Sequence, residues 1–454
     1  MKSHIKGEDK VSIELYRHQK LAVNYMRANN AFGLFMEQGT GKTITALYRV
    51  AELFEKDNIN NCLVVCPKAV IGSWWRDVPL IEEHFGINIT DMLSVTNYEQ
   101  LSTKNGKKKY MEKDWDCVIL DESHYIKNRT TRRSKACHKL ALNAEYRYIL
   151  TGTPISNGQL ENIYSQFTFL YPEINRGRIQ SKIFGTWTNF TKNHCLLNQW
   201  YQPYKYINVD KLQDIISKYS YRVTKEECLD LPDKLPDKIY EIELKEKAIY
   251  KELMRHSTVE KYEILAENSL SRMAKLRQVT SGFINTENET IPLKCEKIKV
   301  LDEFISDYDD KLVIFCQFKY SMKQIMKLLD KKKIKYEFLN GDQKDKQVWK
   351  KFQEKDEIQV MICQYESGSA GIDLYSADTI IYYEPTLSSN ILEQSRDRIH
   401  RIGQNNKCSY IFFLTKGTIE EKIYKSLAEY ADFSEKVYEE YIAEYQRSYS
   451  YSKK

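Results

Sequence analysis

Short apolar runs that stop abruptly at polar or glycine-containing turns dominate the hydrophobic pattern of the chain. Four of them lie early: AFGLFM (31–36), CLVVC (62–66), DCVILD (116–121) and YRYILT (146–151). Four more lie late: KLVIFC (311–316), QVMIC (359–363), DTIIYY (378–383) and SYIFFL (409–414). Runs that are apolar throughout are typical of strands covered on both faces of a parallel sheet. We therefore predict two separate α/β sheets.

The stretch between the two sets has a different pattern. Residues 155–290 alternate charged and apolar positions at helical spacing, and prolines punctuate LDLPDKLPDK (229–238). This pattern predicts helical insertions and a linker. We accordingly predict a first α/β lobe at 1–175, insertions and linker at 176–290, and a second lobe at 291–454. The second lobe should end in helices, because Thr418 and Glu421 have the spacing of a capping box.

Composition and charge restrict the classes of function without choosing one. The net charge of +6, from 69 basic and 63 acidic side chains, permits a nucleic-acid partner but does not require one. We interpret the KKK strings at 107–109 and 331–333 as solvated loop or helix ends. No signal peptide, apolar run of membrane length or CxxC pattern occurs. A soluble intracellular protein without a zinc site is expected, in cytoplasm or nucleoid, or in the nucleus of a eukaryotic host.

A phosphate-binding loop is the first candidate for chemistry. The run 31–36 is followed by EQGTGKT and then by a segment with helical periodicity. Backbone N–H groups at a helix N-terminus bind phosphate, so we assign the loop backbone to Gly39, Thr40 and Gly41. Lys42 would reach the phosphates and Thr43 would bind Mg²⁺. Met36 stands where the strict pattern has glycine, and a chance glycine turn is the competing interpretation.

Two adjacent acids follow another apolar run. Asp121 and Glu122 come directly after DCVIL, where open α/β sheets place their ligands. One carboxylate can hold Mg²⁺ while the other polarises the attacking water. The alternative is that both acids simply open the next helix. That alternative does not explain why they accompany an upstream phosphate loop.

The segment that contains these two acids resembles a motif of a known protein family. DESHYIKN (121–128) resembles the DEAHxxKN segment of Swi/Snf-type ATPases, a branch of helicase superfamily two. Further similar strings follow in the family's order: LYRHQ (15–19), CPKAVIGSWW (66–75), VTNYEQL (95–101), LTGTPISN (150–157), RMAKLRQVTSGF (272–283), KLVIFCQFKYSM (311–322), SGSAGIDLYSADTIIYYEP (367–385) and QSRDRIHRIGQ (394–404). The resemblance implies two RecA-like parallel-sheet lobes with helical insertions, the second being the helicase C-terminal lobe.

The resemblance also implies roles for individual residues. Gln19 would recognise the adenine of ATP, and Gly371 and Asp373 would help to bind the nucleotide. The residues that would couple the nucleotide to nucleic acid, or contact the nucleic acid, are Trp74, His124, Thr151, Thr153 and Gln404. The catalytic residues would be Lys42, Asp121, Glu122, Arg398 and Arg401. Arg398 and Arg401 lie three positions apart, so on a helix they would face one direction and could supply arginine fingers. A salt-bridged surface helix is the alternative.

The function implied is an ATP- and Mg²⁺-dependent motor that moves along double-stranded DNA by backbone contacts that do not read sequence, with protein partners possible for targeting. It would remodel DNA or protein–DNA complexes. A strand-separating DNA or RNA helicase is the alternative, but it needs a wedge, and the sequence has no obvious hairpin signal such as Asn-Gly between alternating strands. A third hypothesis is a nucleotide-gated scaffold without hydrolysis, and the retained catalytic set speaks against it.

Overall fold

A computed structural model describes residues 13–155, 158–229, 231–343, 345, 347–368, 372–430, 432–434 and 437–442. The chain forms two compact units, Met1–Asp230 and Leu231–Lys454. The division therefore falls inside the stretch predicted as insertions and linker. Residues 176–229 pack with the first unit, and the part of 231–290 that follows packs with the second.

The first unit is built on a six-stranded parallel sheet. Its strands are β1 (Ala31–Met36), β2 (Cys62–Cys66), β3 (Leu93–Asn97), β4 (Cys117–Asp121), β5 (Tyr146–Leu150) and β10 (Ser220–Val223), in the order β10-β1-β5-β4-β2-β3. Every neighbouring pair is parallel. The four predicted runs form the four central strands, and their residues are buried on both faces of the sheet except for half-exposed Arg147.

Helices cover both faces of this sheet and separate hydrophobic cores lie on each side. The helices are α1 (Arg17–Ala28), α2 (Lys42–Glu55), α3 (Ile71–Phe85), α4 (Lys104–Gly106), α5 (Arg132–Asn143), α6 (Asn162–Leu170), α7 (Trp187–His194), α8 (Val209–Lys218) and α9 (Lys225–Cys228). Two antiparallel strand pairs complete the unit: β6 (Pro172–Asn175) with β7 (Arg178–Ser181), and β8 (Cys195–Leu197) with β9 (Pro203–Tyr206).

The second unit repeats the plan with another six-stranded parallel sheet. Its strands are β11 (Lys238–Ile242), β16 (Leu312–Cys316), β17 (Tyr336–Leu339), β18 (Val360–Gln364), β19 (Thr379–Tyr382) and β20 (Ser409–Thr415), in the order β11-β20-β19-β16-β18-β17. Its helices are α10 (Lys247–His256), α11 (Ser269–Thr280), α12 (Lys297–Ser306), α13 (Lys319–Lys332), α14 (Val348–Glu354), α15 (Tyr365–Gly368), α16 (Ser389–Arg396) and α17 (Ile419–Ala428). The predicted fold class, two parallel-sheet lobes with helical insertions, is confirmed.

The stretch 155–290 is less purely helical than its pattern indicates. Besides helices it contains the β6–β7 and β8–β9 pairs, together with β12 (Thr258–Val259) paired with β13 (Ile264–Leu265), and β14 (Phe283–Asn285) paired with β15 (Thr290–Pro292). These strands have two to four residues each, which is too short for a period-two pattern to stand out in the sequence.

Thr418 begins a helix as predicted, but its hydrogen bonds differ from those of a standard capping box. Thr418 is the N-cap of α17, and its hydroxyl accepts from the N–H of Glu420 at 3.3 Å. The Glu421 carboxylate accepts from the N–H of Gly417, one residue before the N-cap, at 3.1 Å. Glu420 turns inward, where it forms a buried ion pair with Lys297 of α12 at 2.6 Å.

Candidate active site

The candidate site lies where three neighbouring strands of the first sheet end. β1, β5 and β4 are adjacent in the sheet order, and all three run in the same direction. β1 leads into the glycine loop 37–41, β5 into Thr151, and β4 ends at Asp121. Ligands of open α/β sheets bind at this edge because the strand ends open into loops there. The topology thus brings together three motifs that are far apart in the sequence.

The glycine loop contains two residues in a backbone conformation that favours glycine. Gly39 and Gly41 have φ angles of 81° and 83°, in the left-handed region that favours glycine. Gly41 is the N-cap of α2, and Thr43 lies in its first turn. The buried Lys42 ammonium donates to the carbonyls of Met36 at 2.9 Å and Glu37 at 3.3 Å. The charge of Lys42 is therefore held within the loop, at the N-terminus of a helix that favours anions.

Two side chains of helix α1 contact the backbone of this loop. Gln19 donates to the Thr40 carbonyl at 3.1 Å, and His18 Nε2 contacts the same oxygen at 2.8 Å. Gln19 also accepts from the backbone N–H of Tyr16 at 3.0 Å. A Cβ on Gly41 would come within 2.2 Å of Gln19 Nε2, so only glycine allows this approach. Sequence reasoning singled out Gln19 but missed His18, whose neighbouring position in LYRHQ was the available signal.

The loop is also fastened to the last strand of the unit. The N–H of Glu37 donates to the Val223 carbonyl of β10 at 3.0 Å. In return, the Glu37 carboxylate accepts from the N–H of Lys225, the first residue of α9, at 2.9 Å. Two hydrogen bonds thus connect the phosphate loop to the segment that leads toward Asp230.

Asp121 is a buried carboxylate held by two donors. Trp74 Nε1 donates to Oδ2 at 2.8 Å, and the N–H of Glu122 donates to Oδ1 at 2.9 Å. Burial, followed by the nearby charge of Glu122, raises the pKa of Asp121 to about 6. The Trp74 hydrogen bond and the positive charge of Lys42 act in the opposite direction. A cation bound here would relieve the repulsion between the two carboxylates.

Trp74 is the buried side chain that donates this hydrogen bond to Asp121. Sequence reasoning grouped it with the residues that couple to or contact nucleic acid. The side chain is fully buried in α3, which leaves no surface for contact with nucleic acid. Its hydrogen bond to Asp121 joins residues 47 positions apart in the chain. That hydrogen bond connects helix α3 to the Asp121–Glu122 pair.

Glu122, His124 and Thr151 connect the carboxylate pair with the end of β5. Glu122 has a φ of 51°, an uncommon conformation for a residue with a side chain. Its carboxylate lies 3.3 Å from His124 Nδ1 and accepts from Gln38 of the glycine loop at 3.4 Å. His124 Nδ1 also contacts the Thr151 hydroxyl at 3.2 Å, and that hydroxyl accepts from the N–H of Thr153 at 3.1 Å.

A further residue, Gln166 of α6, supports this connection and was missed by sequence reasoning. Its side chain is fully buried. Its amide oxygen accepts from Ser123 Oγ at 2.7 Å, and its amide N–H donates to the Pro154 carbonyl at 2.7 Å. Gln166 therefore ties the segment after β4 to the segment after β5. No local pattern marks it, because both partners are distant in sequence.

In the second unit, Arg398 and Arg401 converge on one backbone oxygen. Nη1 of Arg398 donates to the Ile372 carbonyl at 3.2 Å, and Nη1 of Arg401 reaches the same carbonyl at 3.4 Å. Arg401 also forms an ion pair with Asp373. The expected helical turn is not the cause, because α16 ends at Arg396 and tight turn hydrogen bonds follow it. Both guanidinium groups are nonetheless held beside the segment that contains Asp373.

Gln404 stabilises the same segment from the other side. It is buried, and its amide donates to the carbonyls of Ala377 at 2.8 Å and Tyr375 at 3.2 Å. This is a positioning contact for the loop before β19. Gly371, predicted to contact the nucleotide, lies outside the described residues.

The donor set of the first unit fits magnesium. Carboxylate and hydroxyl oxygens are the ligands that Mg²⁺ prefers, together with water and phosphate oxygens. Asp121 offers a preoriented carboxylate, and Thr43 lies at the start of the helix that follows the glycine loop.

None of the helices in the described part of the chain is long and apolar enough to cross a membrane. In comparisons with protein families, residues 16–86 and 80–289 match the SNF2-related domain, and residues 296–403 match the helicase conserved C-terminal domain.

Among individual proteins, the putative ATP-dependent helicase/translocase YwqA of Bacillus subtilis is 26% identical, over 89% of this chain and 47% of that protein. An uncharacterized ATP-dependent helicase of Mycoplasma pneumoniae is 24% identical, over 93% of this chain and 42% of that protein. The chain spans less than half the length of these curated relatives. A solved Sulfolobus solfataricus SWI2/SNF2 ATPase core in complex with dsDNA is 24% identical, with a TM-score of 0.43, and the match covers 94% of this chain and 93% of that one.

Proposed function

The chain belongs to the SNF2-related family of helicase-like ATPases, and from that premise we propose that it hydrolyses ATP to move along double-stranded DNA. The observation that carries the proposal is the connected site of the first unit. There the glycine loop follows β1 and the Asp121–Glu122 pair follows β4, with the end of β5 between them, and Gln38 and His124 link the loop, the acid pair and Thr151.

In this proposal each side chain of the site has a definite role. The loop N–H groups and Lys42 bind the phosphates, and Gln19 connects base recognition with the shape of the loop. Asp121 and Thr43 would hold Mg²⁺, which neutralises phosphate charge when bound. Glu122 is the neighbouring carboxylate, available to orient the attacking water and accept its proton. Burial of Asp121 and its bond from Trp74 fix the geometry before the nucleotide arrives.

The second unit supplies cationic groups for the same reaction in this proposal. Hydrolysis spreads negative charge over the γ-phosphate oxygens, and an arginine that meets this charge typically adds about 10³–10⁵ in rate. Arg398 and Arg401 are candidates because both are held beside Ile372, and Asp373 orients Arg401. Removal of the γ-phosphate by hydrolysis would change the preferred state of both units, and that change would drive movement.

Double-stranded DNA is the proposed track, by analogy with the relatives. YwqA is named a helicase/translocase, and another relative is the ISWI chromatin-remodeling complex ATPase CHR11 of Arabidopsis thaliana. Movement along a duplex needs contacts with the phosphate backbone, which position a protein without reading bases. Binding should therefore weaken with salt and depend little on sequence.

The test is ATP hydrolysis measured side by side with duplex DNA, single-stranded DNA and RNA, over a salt series and with several unrelated duplexes. Duplex DNA should stimulate turnover most. Lys42→Ala should abolish it, and Glu122→Gln should retain ATP and DNA together without turnover. Unaltered hydrolysis in both variants would show that the site is misplaced. Stronger stimulation by RNA, or by one duplex sequence alone, would overturn the proposed track.

A further inference from the structure

A groove in the first unit lies between helix α5 and the chain segment 101–115. Its volume is about 630 Å³, and ligand-binding sites typically have about 300–1,000 Å³. None of the residues that line it belongs to the candidate active site. The groove is therefore a second candidate binding site of this unit.

The floor of the groove is apolar and consists of Leu101, Met111, Trp115 and Leu140. Leu101, Trp115 and Leu140 are buried in the hydrophobic core on this side of the sheet. Met111 packs against the same core but remains half-exposed. An apolar group of an occupant would be removed from water when it lies on this floor.

Cations surround this floor, and all five are exposed: Lys107, Lys113, Arg132, Lys135 and Lys139. Within the part of the chain that the structure describes, none of these five side chains forms an ion pair with an acid. Glu112 is the one acid among the described lining residues. Two further acids lie nearby without lining the groove: Asp114 accepts from Asn143 at 2.8 Å, and Glu99 lies 3.9 Å from Arg133. Positive charge therefore dominates the lining.

The wall formed by the segment 101–115 is held by local contacts. Trp115 Nε1 donates to the Tyr110 carbonyl at 2.8 Å, and the Thr103 hydroxyl accepts from the N–H of Gly106 at 3.0 Å. A Cβ on Gly106 would come within 1.9 Å of the Gln100 carbonyl oxygen, so glycine allows this close approach. The wall is thus formed before a partner arrives, which lowers the entropy lost on binding.

The cations of α5 extend along the groove. Arg132, Lys135 and Lys139 are three and four residues apart, so they share one face of the helix. At about 1.5 Å per residue, they span roughly 10 Å. Successive acidic side chains of a peptide can meet charges spread over this length, whereas a single small anion cannot. The phosphate backbone of duplex DNA could also meet them, but it offers no apolar group for the floor.

We propose that this groove binds an acidic amphipathic segment of a partner protein. The apolar side chains of that segment would lie on the floor, and its carboxylates would pair with the surrounding cations. Amphipathic helices bind grooves in this way, and complementary charge adds specificity for the partner. Of the lysine string 107–109, Lys107 lines the groove. Such a contact goes beyond the proposed function and does not require the chain to bind DNA.

The experiment measures binding of a fluorescein-labelled helical peptide to the full chain by fluorescence anisotropy. The peptide carries two leucines at positions i and i+4, with glutamates on both sides of them. One companion peptide has serines in place of the leucines, and another has glutamines in place of the glutamates. The groove variant is Lys135→Glu with Lys139→Glu. The matched control is Lys104→Glu with Lys108→Glu, because these exposed lysines do not line the groove and the net charge changes equally.

The wild type and the control variant should bind the first peptide more tightly than either companion peptide. The groove variant should bind it at least about tenfold more weakly, because each substitution replaces an attraction with a repulsion. Met111→Gln should also weaken this binding, since it makes the floor polar. Equal binding of the serine peptide, equal weakening by both double variants, or no binding by the wild type would each overturn the proposal.

ATP turnover stimulated by duplex DNA separates this groove from the proposed DNA track. The groove variant should retain the stimulation of the wild type. Loss of stimulation in the groove variant but not in the control would overturn the proposal and assign the groove to DNA. Dimerisation of the wild type that the groove variant abolishes would instead assign it to a second copy of the chain. Absence of stimulation in the wild type would contradict the proposed function, while the peptide measurements would still decide the role of the groove.

Discussion

Replacing Trp74 with phenylalanine should weaken magnesium binding without removing any predicted ligand. The indole N–H donates to Asp121 at 2.8 Å in a fully buried setting, and phenylalanine has no donor. A hydrogen bond to a charged group contributes about 1.5–3 kcal/mol, which corresponds to about 10- to 150-fold in binding. Loss of a residue that orients a metal ligand typically costs about 10- to 100-fold in affinity. The two ranges overlap, so we expect a shift of about 10- to 100-fold.

The pKa of Asp121 also predicts weaker magnesium binding in the Trp74→Phe variant. The Trp74 bond lowers this pKa, which burial and Glu122 have raised to about 6. Without the bond the pKa rises further, so a larger fraction of Asp121 is protonated near neutral pH. Magnesium must then displace a proton more often. The defect should accordingly become larger as the pH falls.

The assay is binding of a fluorescent ATP analogue over a magnesium titration, which does not depend on turnover. Trp75→Phe is the matched control, since Trp75 is the next residue but is exposed at the surface. A packing defect would lower the unfolding temperature at every magnesium concentration, whereas the lost hydrogen bond shifts the midpoint of the titration. A shift below about threefold, with the protein folded, would refute the assigned role of Trp74.

Three further predictions concern other parts of the chain. Glu420→Gln should destabilise the second unit by about 3–5 kcal/mol, because the Lys297 ammonium would remain buried without its ion-pair partner. Glu421→Gln is the control. Equal melting temperatures of the Glu420→Gln variant and the wild type in calorimetry would contradict this prediction. Burial lowers the pKa of His138 to about 4, so the unfolded state binds more protons between pH 6.5 and 4 and stability falls as the pH falls through this range. Between pH 7.5 and 5.5 this loss should be about 1.3 kcal/mol, and denaturant unfolding of His138→Gln should lack it. His124→Ala should reduce DNA-stimulated ATP turnover by about 5- to 150-fold while nucleotide affinity, measured separately, changes little; unchanged stimulation would exclude the His124–Thr151 contact as the coupling element.

The strands that the sequence predicts and those that it misses differ in one physical respect. The eight predicted strands are central in their sheets, and almost all of their residues are buried. Within the two six-stranded sheets, the four strands that were not predicted, β3, β10, β11 and β17, are the four sheet edges. An edge strand is half-covered, so its polar and apolar residues mix and the continuous apolar run disappears. Their existence follows from pairing with a neighbour, which a linear pattern does not contain.

The residues of the candidate site also fall into a group that the sequence predicts and a group that it misses. The glycine loop and the Asp121–Glu122 pair are recognisable because each is compact in sequence and sits after an apolar run. The residues that hold them in place were either missed or given another role: His18 and Gln166 are joined to the motifs by hydrogen bonds over 22 and 43 positions, and Trp74 over 47. Such contacts depend on which strands become neighbours. Pattern reasoning thus finds motifs that are compact in sequence and overlooks the distant residues that hold them in place.

The pair of hydrogen bonds between Glu37 and the β10–α9 segment has a mechanical consequence. Strand β10 and helix α9 are the last elements described in the first unit, so the chain leaves this unit from a segment that is hydrogen-bonded to the glycine loop. Because a hydrogen bond constrains both of its partners, a backbone shift of the glycine loop would also displace β10 and the start of α9.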